Sequence, residues 1–241
     1  MAFKEFFDVL KSDETKEIGK EIVENAIGAL QADPIACNNL KEIIVKSPFS
    51  LRDQFFWNRF YNFLRGVYLS PDDAIALSSK LFANDNDKKR NGMRIFEYIG
   101  KIDTDDTLQF MINATRSFLL GLIKISDYFR IAKALTDSLY EDLIYLSEHI
   151  TEADEIQGNI QVLALSRAGL MIEAGIDGNE DVENQYYVFT TLGRLVDRYA
   201  ISFENEERYK WYENKVSTPK LYDTGMEEIS EEEVRNLFEK S

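Results

Sequence analysis

Apolar side chains recur at spacings of three and four residues through most of the first 172 positions, the period of a helix with one buried face. The clearest stripes predict helices over residues 51–68 and 104–122, then two longer helices over 126–150 and 152–172. A polar break at residues 84–87 precedes another helical stripe that ends near Ile102. Because the breaks are short, we expect neighbouring helices to pack antiparallel in a multi-helix bundle.

The helix predicted over residues 51–68 carries an aromatic run that is too wide for a single buried stripe. Phe55, Phe56 and Phe60 fall on its predicted core face. Trp57 and Tyr61 fall outside that face. We therefore expect these two side chains to contact either another helix of this chain or a partner.

The pattern changes after Thr151. Residues 185–190 combine β-branched and aromatic side chains and form the strongest strand signal in the chain. Thr190 or Thr191 can cap a helix that follows. The predicted fold is therefore mainly α, a multi-helix bundle with a small α+β module near the C-terminus.

The residues beyond Phe203 form a charged tail. Ser230 and Glu233 make a capping box ahead of Val234, Leu237 and Phe238, which predicts a short helix over residues 230–240. So short a helix is not stable alone, so it must dock on its own body or on a second chain, which offers a route to a homodimer. We divide the chain into a helical body (1–150), a module (151–203) and a tail (204–241).

The charge balance narrows the classes of partner. The chain has 43 acidic and 28 basic residues, which gives a formal net charge of −15. Such a surface disfavours generic nucleic-acid binding and anionic membrane surfaces. No stretch approaches the length of about 20 apolar residues that a spanning helix needs. A single cysteine, Cys37, and an N-terminus without a signal-type apolar core predict a cytoplasmic protein.

The chain carries no recognisable catalytic, cofactor-binding or metal-binding motif. The single histidine, His149, has no serine or cysteine at a catalytic spacing and lies near a predicted helix end. Cys37 alone makes no thiolate zinc site and has no base linked to it. We therefore predict that the protein is not an enzyme and needs no cofactor or metal.

Two acidic segments begin like calcium loops and then depart from the pattern. In the segment that starts at Asp85, Lys89 stands where an oxygen ligand is required and Arg90 where glycine is required. In the segment that starts at Asp177, Val182 replaces the glycine and Val188 replaces the bidentate acid. Neither segment is predicted to bind calcium.

One basic cluster is concentrated in the sequence, and it consists of Lys88, Lys89 and Arg90 with Arg94. It can meet a phosphate or an acidic partner. Its acidic neighbours Asp85 and Asp87 favour the simpler interpretation of a solvated loop.

Residues 158–203 resemble the end of a winged-helix domain. The resemblance rests on the segments 165–170 and 186–195 together with Tyr199. It implies a helix that ends in Gly169-Leu170, a β-hairpin, and a helix that starts near Thr190. The middle of the chain, roughly residues 50–150, resembles uncharacterised helical proteins of bacterial chromosomes and prophages. That impression rests on segments 50–53 and 118–121, and it implies no activity.

These observations leave three hypotheses, which we rank in order. The first is a non-enzymatic protein-interaction protein, of adaptor, regulatory or mobile-element-associated kind, whose partner the sequence does not identify. The second is a DNA-binding winged-helix regulator, which needs Arg167, Arg194 and Arg198 to share a face with Lys210, or, as a variant, an acidic DNA mimic. The third is an enzyme that uses carboxylates and a divalent metal.

Overall fold

A computed structural model describes residues 25–26, 28–30, 35–36, 38–39, 42, 51–68, 73, 76, 79–81, 85–152, 154–174 and 185–216. Across this part the chain is mainly helical, with a small three-stranded antiparallel sheet. The chain divides into two compact units, residues 1–204 and 205–241. No helix within the described ranges is long and apolar enough to cross a membrane.

The elements of the first unit follow one another as a run of helices that leads into the sheet. The helices before the sheet are α1 (Leu51–Val67), α2 (Asp85–Lys101), α3 (Asp105–Leu119), α4 (Ile125–Asp137) and α5 (Tyr140–His149). Then come β1 (Glu155–Gln157), α6 (Ile160–Arg167), β2 (Met171–Glu173), β3 (Tyr186–Phe189), α7 (Thr191–Val196) and a π-helical turn (Asp197–Ile201).

Helix α3 lies at the centre of the core and packs against α1, α4 and the π-helical turn. It begins where the sequence predicts, because the Thr104 side chain accepts a hydrogen bond from the Thr107 backbone N–H at 3.1 Å. Asp105 and Asp106 occupy its first turn, where negative charge suits the helix dipole. Leu108, Met111 and Phe118 of the predicted apolar stripe are buried, so the stripe is confirmed along the helix. The helix ends at Leu119 and not at the predicted residue 122, and Leu122 is 40% exposed.

The predicted core face of α1 is largely confirmed, because Phe60 and Phe63 on it are fully buried. Trp57 is buried and meets the Phe60 ring edge-on at 5.9 Å, and Phe60 stacks on Phe96 of α2 at 4.6 Å. Phe55, which was predicted to face the core, is 63% exposed. Because α1 packs against both α2 and α3, two of its sides are covered, and the sequence stripe alone does not say which. Trp57 contacts another helix of this chain, as expected, with its ring centroid 6.4 Å from that of Phe96. Tyr61 is 46% exposed, and its expected contact with a helix or a partner stays a prediction.

The predicted polar break at residues 84–87 is wrong, because α2 already begins at Asp85. Acidic residues in the first turn of a helix interact favourably with the positive end of its dipole. Asp85 and Asp87 therefore stabilise the start of α2 and do not separate two helices. Asp87 also pairs with Arg90 one turn later at 2.5 Å. The basic cluster therefore lies on a helix and not in a loop.

The long helix predicted over residues 126–150 is broken at Ser138 and Leu139, both of which have extended backbone angles. Leu135 and Leu143 are fully buried, but Leu139 between them is 58% exposed. In a straight helix all three residues would lie on one buried stripe. The apolar spacing therefore predicted one helix and gave no sign of the break at Ser138 and Leu139.

The helix predicted over residues 152–172 is also wrong, because this segment holds β1, α6 and β2. Ile156 of β1 pairs with Tyr187 of β3, and Ile172 of β2 pairs with Val188, so β3 is the central strand. Strand pairing between residues 31 positions apart (Ile156 and Tyr187) and 16 positions apart (Ile172 and Val188) overrides the local helical period. The predicted strand over residues 185–190 is confirmed by β3.

Two polar caps and one glycine shape the connections around the sheet. The Asn159 side chain accepts from Val162 N–H at 2.8 Å and starts α6 directly after β1. Gly169 ends α6 with φ +77°, a conformation that favours glycine. Thr190 accepts from Gly193 N–H at 3.0 Å and starts α7, so the predicted cap is confirmed.

The π-helical turn is tied to the helices by buried polar groups. Asp197 is fully buried, and its Oδ1 accepts from Ser147 Oγ at 2.7 Å and from Ser202 Oγ at 3.0 Å. Asn113 Nδ2 donates to Ala200 O, and Ser117 Oγ donates to Tyr199 O, each at 2.9 Å. These α3 side chains satisfy carbonyl groups that irregular helix geometry leaves open. We call this set of residues the buried polar junction.

The described part of the second unit is one helix, α8 (Glu206–Val216). The Asn205 side chain accepts from Arg208 N–H at 3.0 Å at its start, and Trp211 meets Tyr212 edge-on at 4.8 Å. The helix expected over residues 230–240 lies outside the described residues and stays a prediction, as does the dimer that would depend on it.

Candidate anion-binding groove

An open groove of about 700 Å³ lies among α2, α4 and the turn that follows α6. Leu192 of α7 closes one side of it. Helices α2 and α4 pack against each other, and the turn after α6 carries Ala168 and Gly169 to the same place. The groove therefore brings together residues from Arg90 to Leu192, which are 192 − 90 = 102 positions apart in the chain.

Basic side chains dominate the charge of this groove. The cations that line it are Arg90, Arg94, Arg130, Lys133 and Arg167. Among the residues that the structure describes, Asp137 is the single acid that lines it with them. The chain as a whole carries a formal charge of −15, so this concentration of positive charge opposes the general balance. A concave site of one sign focuses the electrostatic potential and attracts ions of the opposite sign.

Helical spacing explains how the cations come to one side. Arg90 and Arg94 are four positions apart on α2, and Arg130 and Lys133 are three apart on α4. Residues at these separations are neighbours on a helix surface. Arg167 comes from the last turn of α6, where a cation also suits the dipole.

Arg94 is held in a fixed position at the floor of the groove. Its guanidinium carbon lies 3.7 Å from the centroid of the Phe129 ring, and Nη2 donates to the Tyr98 hydroxyl at 3.3 Å. A cation stacked on an aromatic face keeps its charge and its in-plane donors. Arg94 can therefore still bind an anion without first losing side-chain freedom.

The other cations differ in whether they are already paired. Arg90 pairs with Asp87 at 2.5 Å, and Lys133 pairs with Asp137. The hydrogen bond to Asp137 raises the pKa of the Lys133 ammonium, so this residue stays charged at neutral pH. Arg130 and Arg167 form no ion pair with any residue in the described ranges. Two guanidinium groups are thus left for a ligand.

The groove has a rigid backing. Tyr128 packs beside Phe129 with ring centroids 5.1 Å apart and accepts a hydrogen bond from Thr115 Oγ1 at 3.2 Å. Burial is the main cause that raises the pKa of the Tyr128 hydroxyl far above its usual value. This phenol stays neutral and contributes packing to the site.

A second, smaller pocket of about 310 Å³ adjoins the groove through Asp137 and Arg167. The buried Asp142 lines it, and burial raises the pKa of its carboxyl, with repulsion from Glu141 acting in the same direction. A hydrogen bond from the Leu139 backbone opposes that rise. This pocket therefore contains the Asp142 carboxyl, whose charged form is disfavoured by burial, and the Arg167 guanidinium, which has no ion-pair partner among the described residues.

The structure brings together only some of the residues that the sequence singled out. Arg90 and Arg94 of the basic cluster line the groove, and so does Arg167. Arg194 and Arg198 do not line it, and the Arg198 guanidinium lies 5.1 Å from the Tyr199 ring.

Sequence reasoning missed Arg130 and Lys133. Their spacing on the polar side of a predicted helix was the available signal, but that signal is shared by most exposed helices.

His149, which the sequence offered as a candidate catalytic residue, does not line the groove. His149 Nδ1 is 2.9 Å from Tyr145 O, and its ring stacks on Tyr145 at 4.0 Å, which accounts for its place at the end of α5. Cys37 lies outside the described residues. Within them, no group of three or more histidine, cysteine, aspartate or glutamate side chains is placed to hold a metal ion.

Comparison of the chain with protein-family models, with curated proteins and with solved structures finds no match. The groove must therefore be interpreted from its own chemistry.

Proposed function

We propose that this chain is a non-enzymatic protein-interaction protein that holds an acidic segment of its partner in the basic groove. The observation that carries the proposal is the convergence of five cations from three helices on one concave site in a strongly acidic chain. Arg130 and Arg167, which lack an ion-pair partner among the described residues, supply the free planar donors. Guanidinium groups bind carboxylates through two parallel hydrogen bonds, which is stronger than a single neutral contact.

The acidic surface outside the groove favours specific binding of a partner at the groove over non-specific binding elsewhere. Acidic groups outside the groove repel a negatively charged partner. Such a partner is therefore attracted only where the cations are concentrated. The open shape of the groove suits an extended or helical segment better than a small molecule that must be enclosed.

The test uses charge reversal with a matched control. Fluorescence anisotropy of a labelled peptide of glutamate, glycine and serine is measured against the natural chain and against Arg130→Glu/Arg167→Glu. The control variant is Arg65→Glu/Lys210→Glu, which makes the same change in net charge at exposed positions that do not line the groove.

The groove variant is expected to bind at least about tenfold more weakly, while the control stays within about threefold of the natural chain. Binding by the natural chain is also expected to weaken as salt is raised. Equal losses in both variants would mean that net charge and not the groove attracts the peptide, and the proposal would fail.

DNA binding is the second candidate, and the module around the sheet favours it. The pair β2–β3 followed by a Thr190-capped helix agrees with the winged-helix resemblance, and Arg167 ends the helix before that pair. A labelled duplex in the same anisotropy assay distinguishes the two candidates. Duplex binding that the peptide does not compete, and that Arg194→Glu on the Thr190-capped helix weakens more than Arg65→Glu on α1, would favour DNA over an acidic protein segment.

A further inference from the structure

The basic groove reaches the start of α4, which directly follows an exposed apolar turn in the chain. The connection between α3 and α4 carries Leu120 and Leu122, which are 65% and 40% exposed. Ile125, the first residue of α4, is 39% exposed and lines the groove itself. Ile125 thus lies beside the cations, and Leu122 precedes it by three positions in the turn that leads to the groove. Exposed apolar residues that cluster beside a binding site are usually covered by the ligand.

The exposure of these leucines belongs to an ordered turn. Gly121 has φ +77°, and Leu122 N–H donates to Ser117 O at 3.0 Å, which together form the closing motif of a helix C-terminus. The Lys80 ammonium lies 3.4 Å from Phe118 O and satisfies a carbonyl at the same end. The turn is therefore built by backbone bonds, and its apolar side chains face solvent in a defined arrangement.

The apolar surface extends into the groove between the charged groups. Phe129 and Leu192 line the groove together with Ile125. Arg94 covers one face of the Phe129 ring. Because Phe129 is only 5% exposed, the apolar surface that an occupant meets in the groove is mainly that of Ile125 and Leu192, beside the cations that line it.

We infer that the groove and the turn together bind an amphipathic acidic segment, in which carboxylates and large apolar side chains recur at helical spacing. This inference rests on the proposed function and specifies the chemistry of the partner. The carboxylates would meet Arg130 and Arg167, and the apolar side chains would cover Leu120, Leu122 and Ile125. A purely acidic segment would leave the leucines in water, and a neutral apolar segment would leave the guanidinium groups without counter-charges.

The experiment compares two labelled peptides of equal length and equal net charge by fluorescence anisotropy. One contains glutamate with serine and glycine, and in the other leucines replace serines at spacings of three and four. Each is measured against the natural chain, against Leu120→Ser/Leu122→Ser, and against Arg130→Glu/Arg167→Glu. The leucine pair is exposed, so its replacement leaves the core intact, and a thermal melt of each variant checks this.

The amphipathic peptide is expected to bind the natural chain at least about tenfold more tightly than the plain acidic one. That advantage is expected to fall below about threefold in Leu120→Ser/Leu122→Ser, while the affinity for the plain peptide is unchanged.

Equal affinity of the natural chain for both peptides would overturn the inference and leave the proposed function standing. Binding of neither peptide would overturn both. Sedimentation with vesicles that contain anionic lipid adds a further arm, because an apolar turn beside cations also suits a membrane surface. Vesicle binding that depends on Leu120 and Leu122, without binding of the amphipathic peptide, would assign the turn to lipid and overturn the inference.

Discussion

The buried polar junction and the basic groove both contain polar side chains from separate elements, but they differ in whether the fold supplies partners for those side chains. At the junction, Asp197 accepts from two serine hydroxyls, and Asn113 donates to a carbonyl of the π-helical turn. In the groove, Arg130 and Arg167 have no ion-pair partner in the described part of the chain. Polar groups that the fold itself satisfies hold the structure together, and groups that it leaves unpaired are available for another molecule.

The largest effect on stability is expected at the junction. Asp197→Ala removes the acceptor of Ser147 Oγ and Ser202 Oγ at a fully buried position and leaves a cavity. We expect it to lower the free energy of unfolding by about 2–4 kcal/mol, measured by urea denaturation. Glu148→Ala, an exposed change on α5, is the control and is expected to cost less than about 0.5 kcal/mol. Similar small costs for both would refute the structural role of the junction.

An intermediate and pH-dependent effect is expected at Asp142, which adjoins the groove. Burial raises the pKa of its carboxyl above the ordinary value of 3.8, so the folded state disfavours the charged form. Its contribution to stability is therefore full below pH of about 4 and is lost as pH rises through the raised pKa.

Asp142→Asn keeps the shape and an acceptor oxygen for the Leu139 backbone while it removes the charge. We expect the variant to be more stable than the natural chain at pH 7, with the difference shrinking as pH falls below about 4. Thermal melts across that range measure it, with the exposed Asp105→Asn as the matched change. A difference that does not depend on pH would show that the charge of Asp142 is not what the fold disfavours.

The smallest effect on stability is expected in the groove. Arg130→Ala removes an exposed guanidinium that has no ion-pair partner among the described residues, so the free energy of unfolding should change by less than about 0.5 kcal/mol. The same variant should still bind the acidic peptide several-fold more weakly, since one of the free cations is gone. A loss of stability comparable with that of Asp197→Ala would show that Arg130 stabilises the fold. The proposed difference between the junction and the groove would then be wrong.

Much of the helical architecture was readable from local pattern. The start of α3 at Thr104 and the cap of α7 at Thr190 rest on side chains that bond to the backbone a few positions away. The strand β3 could be predicted because the aromatic and β-branched side chains of residues 186–189 fit a pleated, half-buried surface.

Other elements were not readable, because distant partners decide them. Residues 155–157 become a strand only by pairing with β3, thirty positions along the chain. Trp57 is buried and Phe55 exposed because α1 is covered by α2 and α3 at the same time, and the sequence shows an apolar stripe without showing what covers it.

For the candidate site, the sequence by itself determined that Arg90 and Arg94 belong to one basic cluster in a strongly acidic chain, but it favoured a loop for that cluster. The structure places both residues on one side of α2. Only the tertiary structure decided that Arg130, Lys133 and Arg167 meet them across one groove. Helix spacing is set by hydrogen bonds between residues four apart and is therefore local. The meeting of three elements depends on core packing between residues far apart in the chain, which no local pattern of charge records.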